Sequence, residues 1–94
     1  MFDIRHDEGG NIMLIGRLDA SQVEKVRLVL KDVTTSRTID FKDLTYISSA
    51  GLGTLLAAQK RLANQAQSLA LVNLNAHIKD IFLLAGFDLI FKID

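Results

Sequence analysis

The sequence predicts an α/β fold, a mixed β-sheet with an N-terminal β-hairpin and helices packed on it. Three observations carry this. Phe2, Ile4 and His6 alternate with Asp3, Arg5 and Asp7, the period-two pattern of a half-buried strand. The turn-type run Glu8-Gly9-Gly10-Asn11 joins that segment to a second apolar run, Ile12-Met13-Leu14-Ile15, as a hairpin. Beyond it, short β-rich runs alternate with helically spaced apolar stripes. That order makes parallel neighbours with right-handed crossovers.

The elements follow in turn. Ser21-Gln22-Val23-Glu24 matches a capping box, with Ser21 as cap and Glu24 reaching back to the free amide. Val23, Val26 and Val29/Leu30 then support a first helix to about Asp32. Thr38-Ile39-Asp40-Phe41 reads as a short strand, continued after a break by Leu44-Thr45-Tyr46-Ile47. A second helix starts near Ala50 and ends near Gln67, with Leu52, Leu55, Leu56, Leu62, Ala63 and Ala66 on one face. Ser68-Leu69-Ala70-Leu71-Val72 is almost wholly apolar, as a buried central strand should be. Asn75 can cap a third helix with the stripe Ile78, Ile81, Phe82 and Ala85, and Gly86 suits the left-handed position that closes it. Leu89–Ile93 is predicted as a last edge strand.

Bulk properties narrow the function. Ninety-four residues are expected to form one domain, 1–94, with a modest core. Eleven Lys and Arg balance eleven Asp and Glu, so the basic excess of a nucleic-acid binder is missing. The absence of cysteine removes disulfides and thiolate chemistry. Apolar runs such as Ile81–Phe87 fall well short of the ~18 residues of a membrane span, and the N-terminus carries no signal-type apolar stretch. A cytoplasmic location is therefore expected. No cofactor motif is present, and His6 and His77 have no partner at ligand spacing, so no metal site is expected.

The chemistry concentrates between the third strand and the second helix. Ser48 and Ser49 stand at the junction, followed by Gly51 and Gly53 in the first helical turns. A helical glycine costs up to ~1 kcal/mol relative to alanine. Two of them beside two serines suggest a backbone left bare for close approach, at the strand carboxyl ends where ligands and partners dock in α/β sheets. The plainer reading is that Ser49 is only an N-cap and that the glycines only allow packing. A hydrolase elbow, G-x-S-x-G, fails because Ile47 stands at its first glycine. A dinucleotide fingerprint fails because Leu56 stands at its third. The remaining reading is a phosphorylation switch on a protein-docking surface, not an enzyme.

Leu44-Thr45-Tyr46-Ile47-Ser48-Ser49-Ala50-Gly51-Leu52-Gly53 resembles the signature of the STAS domain, the sulfate transporter and anti-sigma factor antagonist family. Gly16-Arg17-Leu18-Asp19-Ala20 is similar to that family's second strand and following loop, and Ile81–Ile93 to its third helix and tail. The resemblance implies a stand-alone anti-sigma factor antagonist. Such a protein binds an anti-sigma factor that is also its serine kinase, is released on phosphorylation, and is reset by a serine phosphatase. It implies Ser49 as the phosphorylated residue, with Ser48 as the alternative because Ser48 replaces an Asp common at that position. It also implies a partner surface of Asp19, Ser48, Ser49, Ala50, Gly51, Leu52 and Gly53. The competing function is a constitutive STAS subunit of a transporter or larger signalling complex, without a switch. Lys60 and Arg61 read as the wet face of the second helix. Leu83 and Leu84 are first assigned to packing with the C-terminal segment, and second to a small patch for a weak homodimer.

Overall fold

The hairpin at the N-terminus sets one edge of the sheet. In the computed structural model, which describes residues 1–94, β1 (Phe2–His6) pairs antiparallel with β2 (Ile12–Leu18). The chain then passes through a single 3-10 turn, Ala20–Gln22, into α1 (Val23–Leu30), and returns as β3 (Arg37–Ile47) parallel to β2. Helix α2 (Ser49–Ala63), strand β4 (Leu69–Val72), helix α3 (Ala76–Leu84), a second 3-10 turn (Phe87–Leu89) and β5 (Lys92–Ile93) complete it. The spatial order is β1-β2-β3-β4-β5, with every pair after the hairpin parallel. This is the mixed sheet expected from the alternation of strand and helix patterns.

One face of the sheet makes the core. Ile12, Ile39 and Leu71 stand in register across β2, β3 and β4, and all three are fully buried. Val26 and Leu30 of α1, Leu55, Ala58 and Leu62 of α2, and Ile78 and Phe82 of α3 join them in a single cluster. Phe82 meets Phe41, Phe87 and Phe91 edge-on at centroid distances of 5.8, 5.8 and 6.0 Å, an arrangement that adds to simple area burial. The opposite face carries Met13, Ile15, Arg17, Asp40, Tyr46 and Val72, half-buried or exposed.

Several local expectations give way to tertiary detail. Strand β3 is continuous across the expected break. Two register shifts against β2 absorb the extra residues, since Met13 and Ile15 pair with Asp40 and Asp43, and Gly16 and Arg17 with Leu44 and Tyr46. Ser21 does not cap α1. Asp19 instead caps the 3-10 turn Ala20–Gln22, accepting from Ser21 N at 3.0 Å and Ser21 Oγ at 2.6 Å; α1 itself starts after Gln22 with no side-chain cap, and Glu24 pairs forward with Arg27. Helix α2 stops at Ala63, and Ala66 adopts a left-handed φ of 58°, so Ala63 and Ala66 are exposed rather than part of the buried stripe. Ala85 is exposed as well. The last strand shrinks to Lys92–Ile93 because 87–89 form a turn. Asn75 does cap α3, accepting from Ile78 N at 2.8 Å, and Gly86 does take a left-handed φ of 74°.

Candidate functional site

The end of β3 delivers the serine pair to the surface. Ile47 is buried, and Ser48 leaves the sheet with extended backbone (φ −86°, ψ 168°), the conformation of a helix N-cap. Its backbone amide donates to Leu18 O at 2.9 Å, tying the site to the end of β2. Its Oγ accepts from Gly51 N at 3.1 Å, and its carbonyl accepts from Leu52 N at 2.9 Å, the first bond of α2. Ser48, not Ser49, is therefore the cap, which corrects the plainer sequence reading. Ser49 is the first helical residue, exposed, and its hydroxyl is not committed to the cap.

The two glycines of the motif divide their roles. A Cβ on Gly51 would lie 2.9 Å from Leu18 Cγ and 3.0 Å from Ile47 Cγ1, so this glycine lets α2 seat against the sheet. A Cβ on Gly53 would meet nothing within 4 Å. Packing inside the protein explains the first glycine and leaves the second unexplained. Only Gly53 fits the idea of a backbone bared for an outside approach. Leu52 is half-buried and packs against the core, which leaves Ser49, Ala50 and Gly53 as the open part of the segment.

Asp19 lies beside this segment because Leu18, its neighbour, holds Ser48. Its φ of −101° and ψ of −178° aim the carboxylate at the turn that follows. The hydrogen bond from Ser21 Oγ holds its carboxyl below the ordinary value. The Ser21 amide, Arg17 and the N-terminal amine act in the same direction, and desolvation opposes them. Asp19 is thus a fixed anion at the margin of the serine pair.

Beside the helix start runs a groove of about 460 Å³ between α1 and α2. Arg27, Leu30 and Lys31 line it from the α1 side, and Ala50, Gly53, Thr54, Ala57, Ala58 and Arg61 from α2. Sequence reasoning missed this feature, because the groove exists only once α1 lies against α2. Arg61 is not simply a wet-face residue. Its guanidinium donates to Val33 O at 2.8 Å and Leu30 O at 2.7 Å, closing the C-terminal end of α1. His6 and His77 are exposed at distant positions, and no group of three metal-ligating side chains occurs. No helix is long and apolar enough to cross a membrane.

The family model described as "Mlab, STAS domain" matches residues 2–92. The chain belongs to the STAS domain family. A Bordetella bronchiseptica protein named as a candidate anti-sigma factor antagonist, BtrV, is 32% identical over 81 residues, covering 85% of this chain and 70% of that protein. Among solved structures, the phosphorylated form of the Bacillus cell-fate determinant SpoIIAA superposes with a TM-score of 0.71 at 22% identity, over all of this chain and 91% of that one. A candidate anti-sigma factor antagonist of Thermotoga maritima superposes with a TM-score of 0.79 at 20% identity, over 99% of this chain and 85% of that one. At these identities the structural likeness establishes the STAS fold. The strand–serine–helix junction described above lies within the family match.

Proposed function

We propose that this STAS protein is an anti-sigma-factor-antagonist-type binding module whose partner surface is gated by phosphorylation of Ser49. The observation that carries the assignment is the division of labour between the two serines. Ser48 is half-buried with its oxygen engaged by the Gly51 amide, whereas Ser49 offers an exposed hydroxyl in the first turn of α2. A kinase can reach Ser49 without dismantling the helix start.

The physics of the modification supports a switch. A phosphate adds about −1.5 to −2 charges. At the first residue of a fifteen-residue helix it faces unpaired amides and the positive end of the macrodipole, so the fold is retained. The same charge inside a closed protein–protein contact would lose its hydration without a matched cation, a cost of several kcal/mol. Binding is lost while the structure stays. Ser49, Ala50 and Gly53 form the contact, with Asp19, Ser48 and Leu52 at its margin and Gly51 shaping it from behind. The partners are an anti-sigma factor that is also a serine kinase, and a serine phosphatase for the reverse step. The chain itself is no enzyme, since no acid–base pair stands at Ser49. Ester or phosphate turnover abolished by Ser49→Ala would contradict this.

The second reading is a constitutive STAS subunit that is never phosphorylated, and Ser48, which stands where the resemblance implies Asp, is the alternative site of the switch. Mass spectrometry of the segment Asp43–Lys60 from protein recovered from its own cells separates the two readings. Phosphate on Ser49 supports the switch, phosphate on Ser48 moves the site, and none under any growth condition supports the constitutive subunit.

A further inference from the structure

The α1–α2 groove extends beyond the Ser49 surface, with which it shares Ala50 and Gly53, and its composition is one-sided. We propose that it is a second docking surface, which receives an acidic, amphipathic helix of a partner protein. Nine residues line it; three are cationic and none is acidic, in a chain whose net charge is zero. Arg27 is paired with Glu24, but Lys31 and Arg61 have no carboxylate within ion-pair distance. Arg61 spends its donors on two backbone carbonyls, which leaves its charge uncancelled. The complement of such a rim is a carboxylate-bearing segment.

The small residues on the α2 side specify the shape of the occupant. Ala50, Gly53, Thr54 and Ala57 recur at three- and four-residue spacing and so lie along one side of α2. Side chains this small let a second helix come close to the α2 axis, within the usual packing distance of about 8–10 Å. Gly53 is the informative position. It lies inside the helix, where glycine costs up to ~1 kcal/mol relative to alanine, and nothing within the protein occupies the space a side chain would take. The internal packing gives no return for that cost, whereas an incoming helix would. Ala50 and Gly53 also belong to the Ser49 surface, so the groove continues directly from it. The groove reading does not depend on whether Ser49 is ever phosphorylated.

The test uses the unmodified full chain, isotope-labelled, titrated with a synthetic helical peptide that has Ala and Leu on one face and Glu on the other. Matched peptides carry Gln or Lys in place of Glu. The Glu peptide should shift the backbone signals of Lys31, Ala50, Gly53, Thr54 and Ala57 and weaken as salt rises, while the Gln and Lys peptides bind at least tenfold more weakly. Lys31→Glu should reverse the preference toward the Lys peptide. Gly53→Leu should melt no lower than wild type, since it fills open space, yet lose the Glu peptide. The proposal is overturned if the Glu peptide leaves the groove signals unmoved, if the three peptides bind equally, or if Gly53→Leu binds as wild type does. It is also overturned if a single-stranded oligonucleotide shifts the same signals and the Glu peptide does not. Failure of any of these leaves the Ser49 assignment standing, because the phosphate mapping reads a different residue and a different measurement.

Discussion

Replacing Gly51 with alanine should destabilise the protein, and the same change at Gly53 should stabilise it. The two positions are one helical turn apart or less and share a sequence motif, so local propensity treats them alike. At Gly51 the added methyl would stand 2.9 Å from Leu18 Cγ, 3.2 Å from Leu18 Cδ2 and 3.0 Å from Ile47 Cγ1. Leu18 is fully buried and Ile47 is 4% exposed, so neither can swing out of the way. Overpacking of this kind costs about 1–3 kcal/mol, against which the gain in helix propensity is at most ~1 kcal/mol and less in a first turn. The net loss should be about 1–2 kcal/mol. For a domain of this size 1 kcal/mol moves the melting temperature by roughly 4–8 °C, so Gly51→Ala should melt about 5–15 °C lower. At Gly53 the methyl meets open space, and only the propensity term remains, a rise of up to about 8 °C. Circular-dichroism melts and urea titrations of the two variants provide the measurement. A Gly51→Ala protein as stable as wild type, or two variants shifted in the same direction, would refute the division of roles between the glycines.

Three further outcomes follow from named contacts. Ser48→Ala should lose the cap to Gly51 N and about 1 kcal/mol, while Ser49→Ala should stay within about 0.5 kcal/mol of wild type by urea unfolding; the reverse ranking would return the cap to Ser49. Arg61→Met should cost about 2–3 kcal/mol by loss of its two bonds to Leu30 O and Val33 O, read as a lower urea midpoint, and an unchanged midpoint would show that water replaces them fully. Asp19 has its carboxyl held down by Ser21, so its contribution is present above the unfolded carboxylate value, about 3.9, and disappears as pH falls through its lower folded value. Acid titration of Asp19→Asn against wild type should therefore show a stability difference at pH 6 that shrinks below about pH 4.

Periodic patterns made the fold readable. The hairpin, the order of strands and helices, the Asn75 cap and the Gly86 exit are all local signals that tertiary contacts reinforce. The misreadings have a common cause, competition between local options of similar energy. Ser21 and Asp19 could each begin the turn into α1, and Asp19 prevails by accepting two bonds from Ser21. The run Lys42-Asp43 looks like an interruption, yet β3 passes through it because β2 tolerates two bulges. Nothing in the composition around Ala66 marks a left-handed residue, so the apolar pattern runs on past Ala63, where α2 ends.

The candidate site was legible as a place and less so as a geometry. The pairing of Ser48-Ser49 with Gly51 and Gly53 marks the junction, but which serine is the cap depends on where Ile47 leaves the sheet. That the glycines differ depends on Leu18, thirty-odd residues away in sequence and in contact only through the β2–β3 pairing. The groove and the role of Arg61 depend on the docking of α1 against α2, which no spacing within either helix reveals.

The most direct test of the switch is the amount of serine kinase that co-purifies with the tagged chain from its native cells, quantified by mass spectrometry. The measurement compares wild type, Ser49→Ala, Ser49→Asp and Ser48→Asp, each first shown to melt within a few degrees of wild type. Ser49→Ala should retain the kinase, because the exposed hydroxyl supports neither the cap nor the fold. Ser49→Asp should lose most of it, because a charge at the first residue of α2 enters the contact. Equal recovery with Ser49→Asp and wild type, or loss confined to Ser48→Asp, would contradict the account.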